Sequence, residues 1–337
     1  MELSVVTTLY HSSSYLEEFY TRIKKEAKKI TSDYEIILVN DGSPDTSLDV
    51  AISLFRQDDR VRVIDLSRNF GHHKAMMTGL AHARGKLVFL IDCDLEIKPE
   101  TLSEFYPMFQ NSTVDVVYGV QETRQDPPLD RLFSQVFYAI FNWLSPDPLP
   151  MNLTTVRLMS QRYVSALVAH QEREVLIGGL WVITGFKQLP QVVNKSSKGS
   201  STYHLGRKLS IMINAVTSFS NRPLILIFYL GCIIIFLSSV AAAYLTVETI
   251  LSGFLPGWPS LIVSVWLLGG LTIFCMGIIG IYLSKIFIET KQRPYTIIRE
   301  FYERAVEHDH EFRANPGRRG TVLQPENQDT WSDGQRR

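Results

Sequence analysis

Three carboxylates stand close together in the run "FLIDCDLE": Asp92, Asp94 and Glu96, directly after an apolar stretch. Side chains two positions apart share a face only while extended geometry continues, and acids crowded on one face repel unless something positive sits among them. A hard divalent cation with oxygen ligands meets that need. Magnesium in particular takes one or two carboxylates and leaves its other positions to water and substrate phosphates. A metal and phosphate site is therefore one reading of the stretch. The solvated end of a strand is the other, and D-x-D alone does not separate them. Cys93, between the two aspartates, reads as a small filler, reduced in the cytosol.

The elements that must position these acids alternate between strand-like and helical patterns. "LSVVTTLY" is followed by a helical pattern from Ser14 to Lys29, "EIILVND" by one from Ser47 to Phe55, and "RVIDLS" by one from His73 to Ala83. Then come "KLVFLID", a helix opening around Pro99, and "VDVVYGV". Apolar strands without clear alternation, separated by helices, predict an α/β domain built on a doubly wound, mostly parallel sheet covered on both faces. Ligands of such sheets bind beyond the carboxyl ends of the strands. Asp41 ends the second strand, Ser67 and Arg68 follow the third, and the three acids end the fourth, so these polar residues share one rim. The first strand leads into "YHSSSYLEEF", which is neither G-x-G-x-x-G nor a P-loop. Phosphate would then be held by metal and basic side chains. His72 and His73 are neighbours on a helix and point in different directions, so a helix start near phosphate, or plain surface, fits them better than a metal pair. Glu172 and Glu174 in "HQEREVLIGGLW" read either as facing a sugar or as solvated.

The chain has 337 residues and no net charge, which leaves room for a domain and something more and gives no global field to attract nucleic acid. Its charge is unevenly placed. Lys195, Lys198, Arg207, Lys208 and Arg222 are unrelieved by any acid between them, and no Lys or Arg occurs from Pro223 to Ser284. Within that second stretch begin two apolar runs, Pro223 to Ile250 and Pro259 to Ile288, each long enough to cross a hydrocarbon core of about 30 Å. The uncharged linker "LSGFLPGW" makes them a hairpin. Arg207, Lys208 and Arg222 precede it and Lys285, Lys291 and Arg293 close it, so the positive-inside rule puts both ends in the cytoplasm. The opening "MELSVVTTLY" has no signal-peptide pattern, and three cysteines form no disulfide framework. After about Glu307 the polar, aperiodic tail is expected to be disordered.

"EIILVNDGSPDTS", "LSRNFGHHKAMMTGLAHARGKLVFLIDCDLEIKPE" and "RLFSQVFYAIFN", joined to a basic segment and a two-helix hairpin, resemble family 2 glycosyltransferases of the GT-A fold. Within that family they resemble the polyprenyl-phosphate glycosyltransferases, the group that includes dolichol-phosphate mannose synthase. The resemblance runs from about Leu3 to Ile288. It implies a nucleotide-sugar half over residues 1–125, an acceptor half with interfacial amphipathic helices over 126–222, a transmembrane hairpin over 223–290 and a cytoplasmic tail over 291–337. It further implies that Tyr10, Asp41 and Arg68 hold the nucleotide sugar. Asp92 and Asp94 would be catalytic and, with Glu96, would hold Mg2+ or Mn2+ on the diphosphate. Arg131 and Ser134 match the R-x-x-S that grips the lipid phosphate, with Arg124 and Arg207 as further contacts; a helix-surface charge is the other reading of Arg131. The partners implied are a nucleotide sugar, a polyprenyl phosphate such as undecaprenyl phosphate, the bilayer of the inner (cytoplasmic) membrane, a flippase and a second copy of the chain.

The chain departs from the family pattern in several places. Y-N-E becomes Tyr10, His11, Ser12; D-A-D-L-Q becomes D-C-D-L-E; and S-K-Y becomes "STY", with Thr202 before Tyr203. The family's G-D-F-R-L corresponds to "TTVRL", with Thr155 in place of the aspartate and Arg157 kept. A phosphate monoester has a second pKa of about 6, so it reaches neutral pH largely dianionic and needs little help from a general base, unlike a sugar hydroxyl. Thr155 thus favours a phosphate acceptor and inverting displacement at the anomeric carbon. Transfer to a hydroxyl of a lipid-linked saccharide, and a catalytically silent assembly module, are the competing readings.

Overall fold

Strand β1 (Leu3–Leu9) is buried along its whole length and is hydrogen-bonded on both sides. The computed structural model describes residues 1–121, 139, 142–143, 152–195, 216–217, 220–252 and 257–304. Strands β2 (Tyr34–Asn40), β3 (Val61–Leu66) and β4 (Leu87–Leu90) join β1 in parallel register. Strands β5 (Val116–Val120), β6 (Leu153–Ser160), β7 (Gln188–Val192) and β8 (Ile298–Tyr302) complete an eight-stranded sheet in the order β7-β5-β6-β4-β1-β2-β3-β8. The added strands make it mixed: β6 runs antiparallel to both β4 and β5, and β8 antiparallel to β3.

Helices cover both faces, as the lack of alternation predicts. Helices α1 (Ser13–Ile30), α2 (Ser47–Gln57) and α4 (Thr101–Gln110) bury Phe19, Leu54 and Phe105 on one face. Helices α3 (His72–Ala81), α5 (Gln161–Ala169) and α6 (Ile177–Ile183) bury Met76, Tyr163 and Leu180 on the other. The chain moves outward through β1, β2 and β3, then returns to place β4 on the opposite side of β1. The loops leaving β1 and β4 therefore diverge and open a crevice at their carboxyl ends.

Helices α7 (Arg222–Ser252) and α8 (Trp258–Thr290) are the two apolar runs. Both are long and apolar enough to cross a membrane, and their apolar windows are not buried in the protein. A core helix of a soluble domain would be covered; these leave Phe228, Phe236, Trp266 and Phe274 exposed. The foot of α8 is fastened to the α/β domain. Its Glu289 Oε1 accepts the backbone N–H of Arg173 at 2.8 Å, and Lys285 pairs with Glu174. Glu174 thus meets the base of the hairpin, an arrangement not anticipated from its sequence context. Tyr282 Oη also donates to the carbonyl of Ser220 at 2.6 Å, just before α7.

After the hairpin the chain returns to the sheet. Strand β8, which carried no recognisable strand signal, pairs its Phe301 with Ile64 and its Tyr302 with Val63. Arg299 Nε donates to the buried carboxylate of Asp65 at 2.6 Å, and Asn40 Nδ2 donates to its other oxygen at 2.8 Å. Removing the partner of a buried acceptor costs about 1–3 kcal/mol. Arg299→Ala should therefore lower the melting temperature of the detergent-solubilised protein by several degrees, as read by circular dichroism; an unchanged melt would show that β8 is not fastened through this pair.

Candidate active site

The rim of the crevice is assembled from four loops, each following a parallel strand. After β1 come Tyr10, whose ring is half exposed, and His11, in the left-handed region at φ 53°. The His11 N–H donates to Ser43 Oγ at 2.8 Å and the Ser12 N–H to Ser47 Oγ at 2.9 Å, so the β1 loop is stitched to the loop after β2. Asp41 then binds the next loop along: Phe70 N–H donates to Oδ1 at 2.7 Å and Gly71 N–H to Oδ2 at 3.0 Å. Burial pushes the Asp41 carboxyl above its ordinary value in spite of those two bonds. Gly42, at φ +60°, lies so close to the Arg68 and Asn69 backbone that a Cβ there would come within 2.5 Å of both. The glycine of "NDGS" is thus required twice, by its conformation and by the approach of the two loops. Arg68 lies on the surface with its guanidinium over the Phe70 ring, 4.3 Å from the centroid.

Strand β4 ends at Leu90, so the acids lie in a turn and not on an extended strand. Leu95 takes φ 61°, and the Glu96 N–H donates to Asp94 Oδ1 at 2.9 Å. Between the aspartates, Cys93 is buried, its Sγ donating to the Thr8 carbonyl at 3.3 Å. Burial pushes its thiol up to about 11, consistent with the inert filler expected of it. Asp92, Asp94 and Glu96 line one cavity of about 100 Å³ together with Gln121, Thr155 and Lys195.

Each acid meets a different partner. His72 Nε2 lies 3.2 Å from Asp92 Oδ1, and its Nδ1 is 3.0 Å from Thr8 Oγ1. Burial alone would raise the Asp92 carboxyl, yet the bond and charge of His72, with help from Thr155 and Lys195, hold it below the usual range. For Asp94 the balance falls the other way: burial, with the charges of Asp92 and Glu96, pushes it up against the Glu96 N–H and Lys195. Glu96 Oε2 is 2.7 Å from Lys195 Nζ. Among the described residues no group of three His, Cys, Asp or Glu side chains is placed to hold a metal ion. The three acids share the cavity without converging. The donor set fits a cation held by one or two carboxylates and completed by phosphate and water, as magnesium is, and not one enclosed by protein alone. Repulsion that raises Asp94 is what a divalent cation would relieve.

The structure brings Asp92, Asp94 and Glu96 together and sets Tyr10, Asp41 and Arg68 along the same rim. Arg124, Arg131, Ser134 and Arg207, with Thr202 and Tyr203, lie outside the described residues. Sequence reasoning missed the parts played by Lys195 and His72. Lys195 was visible only as the first member of a basic run, far from the acids in the chain. For His72 the signal was present in its position at a helix start following a rim loop, and its neighbour His73 does point elsewhere, to the Val175 carbonyl at 3.2 Å.

Comparison with known proteins identifies the family. The profile of glycosyl transferase family 2 matches residues 4–166, from β1 into α5. A Mycobacterium tuberculosis protein named among the glycosyltransferases is 55% identical over 303 residues, covering 90% of this chain and 89% of its own length. An uncharacterised glycosyltransferase of Synechocystis is 31% identical over 306 residues, covering 90% of this chain and 96% of its own. The bactoprenol glucosyl transferase of Shigella phage SfV is 28% identical over 302 residues, covering 89% and 98%. The carboxylates at the switch point of a doubly wound sheet, the matched span and these near full-length relatives lead to one assignment: the chain belongs to glycosyltransferase family 2.

Proposed function

We propose that this chain moves a sugar, with inversion, from a nucleotide sugar to a polyprenyl phosphate at the cytoplasmic face of a membrane. The observation that carries the reading is the placement of Asp92 and Asp94 in a crevice of the same domain that grips the foot of an apolar hairpin. A lipid acceptor stays in the bilayer, so its transferase must hold the crevice at the interface. Relatives named for bactoprenol glucosyl transfer support the choice of acceptor.

In this reading Tyr10, Asp41 and Arg68 receive the nucleotide sugar, with Asp41 acting chiefly through the loop it orders. Asp92 and Asp94, with Glu96 close by, would hold Mg2+ or Mn2+, which when bound neutralises charge on the departing diphosphate. His72 fixes Asp92 by holding one oxygen, and Lys195 brings positive charge to the diphosphate side of the cavity. Thr155 offers no carboxylate base, in keeping with an acceptor that is already anionic. Arg124, Arg131, Ser134 and Arg207 are proposed to take the lipid phosphate, since guanidinium groups match phosphate oxygens in pairs. Basic residues near the membrane also attract anionic headgroups. A flippase and a second copy of the chain are the protein partners this scheme would use.

Membranes containing the protein, given labelled nucleotide sugars and undecaprenyl phosphate, should form a lipid product whose sugar is linked through one phosphate. Label found instead on a hydroxyl of a lipid-linked saccharide would overturn the acceptor assignment. Asp94→Asn, nearly isosteric, should cut turnover roughly 100-fold or more while leaving the melting temperature unchanged or higher, because it removes a repelled charge. Chelator should silence the wild type, and added magnesium or manganese should restore it; full activity in excess chelator would remove the metal from the scheme. For the topology, Arg222 and Lys285 mark one end of the hairpin, so a reporter fused after Arg337 should be active in the cytoplasm. Activity confined to the other side would reverse the orientation.

A further inference from the structure

Among the described residues Arg157 is the largest fully buried side chain, 1% exposed, and no role in transfer has been given to it so far. Among the described residues its Nε and Nη2, both closed off from solvent, have no hydrogen-bond partner, and neither does Nε1 of the buried Trp181. The guanidinium lies against the Trp181 ring, 3.2 Å from the centroid, with Tyr118 on another side at 5.4 Å. Stacking of this kind stabilises a buried cation in part but leaves its N–H donors unmet, and buried donors without acceptors are rare in native proteins. Arg157, Trp181 and Tyr118 line a second cavity of about 270 Å³, completed mainly by the apolar Leu153, Val182 and Phe186. Orphaned donors amid apolar walls fit an amphiphile with an anionic head.

Two features of its position say which amphiphile. Leu153 lines this cavity and the one that holds Asp92 and Asp94. Leu153, Thr155 and Arg157 are alternate residues of β6, so they share a face, and one pair of residues along a strand spans about 7 Å. A group held by Arg157 therefore sits next to the place where the donor's sugar would lie. On the other side, Trp181 belongs to α6, which opens at Ile177, shortly after Glu174 meets Lys285 at the foot of α8. The Trp181 carbonyl is fixed there by Tyr163 Oη at 3.2 Å and Gln188 Nε2 at 2.7 Å. The helix that carries Trp181 thus opens three residues after the contact with the foot of α8, and Phe186, which also lines the cavity, is 45% exposed.

We infer that Arg157 and the indole N–H of Trp181 also contact the phosphate of the lipid acceptor, in addition to the residues proposed for it above, with Val182 and Phe186 meeting its first isoprene units. The inference rests on the polyprenyl-phosphate reading above and adds a seat for the acceptor head beside the donor sugar. Burial pushes the guanidinium down to about 9, which leaves it cationic at neutral pH, and an arriving dianion would supply the acceptors it lacks.

The test uses the full chain in detergent, with farnesyl phosphate, farnesol and inorganic phosphate as ligands, followed by tryptophan fluorescence and thermal shift. Farnesyl phosphate should bind the wild type and raise its melting temperature, more tightly than either of the other two. Arg157→Gln should weaken that binding on the order of 10- to 100-fold, and Trp181→Phe, which keeps the ring but loses the N–H, by roughly 3- to 10-fold. Arg157→Lys should recover only part of the loss. In turnover assays these changes should raise KM for the acceptor and leave KM for the nucleotide sugar unchanged. Should Arg157→Gln fail to fold, Arg157→Lys and Trp181→Phe carry the same comparison. Folded variants that bind farnesyl phosphate as the wild type does would overturn the inference, as would inorganic phosphate binding as tightly as the lipid. If the wild type makes no polyprenyl-phosphate sugar, the functional reading fails; if it does so and these variants keep the acceptor KM, this inference alone fails.

Discussion

Negative charge gathered at the end of one buried strand is the constraint around which the rest is arranged. Asp92, Asp94 and Glu96 occupy a single turn, and each is answered separately: Asp92 by His72, Glu96 by Lys195, and Asp94 by the Glu96 N–H together with the charge of Lys195. The residual repulsion falls on Asp94. Repulsion among the three acids is what a cation arriving with its own phosphate ligands would relieve, and a doubly wound sheet presents such a site where its strands diverge.

Holding the turn in place requires loops that cannot drift. Asp41 uses both carboxylate oxygens on the backbone of the neighbouring loop, and Gly42 lets the two chains approach to a distance no side chain would permit. Residues expected to touch the nucleotide therefore also build the rim that would receive it. The same economy appears in His72, which reaches from the start of α3 to the ends of both β1 and β4.

The hairpin is joined to this frame at the foot of α8 and through the strand that follows it. Lys285 and Glu289 of α8 meet the segment before α6, and β8 then adds the following residues to the sheet beside β3. A flexible tether would let the crevice wander from the membrane surface. Paired groups at the foot of α8 and the pairing of β8 tie the hairpin to the domain, and in the proposed transfer from a soluble donor to a lipid-borne acceptor such ties would hold the crevice at the membrane surface.

Much of this was determined by the sequence alone. Continuous apolar strands separated by amphipathic helices dictated a sheet covered on both faces. Two long apolar runs with basic ends dictated a hairpin, and "DCDLE" following a buried strand marked the site, because burial, span length and charge density are local properties of a chain. Tertiary structure decided what depends on residues distant in sequence. Lys195 meets Glu96 only because β7 carries it past the end of β4. β8 is a strand only because β3 offers an open edge and Asp65 a buried charge for Arg299. Arg157 reads on its own as an ordinary cation in a short apolar run; that it is buried, stacked on Trp181 and, among the described residues, without acceptors for two of its donors follows from α6 folding over β6, which no local pattern encodes.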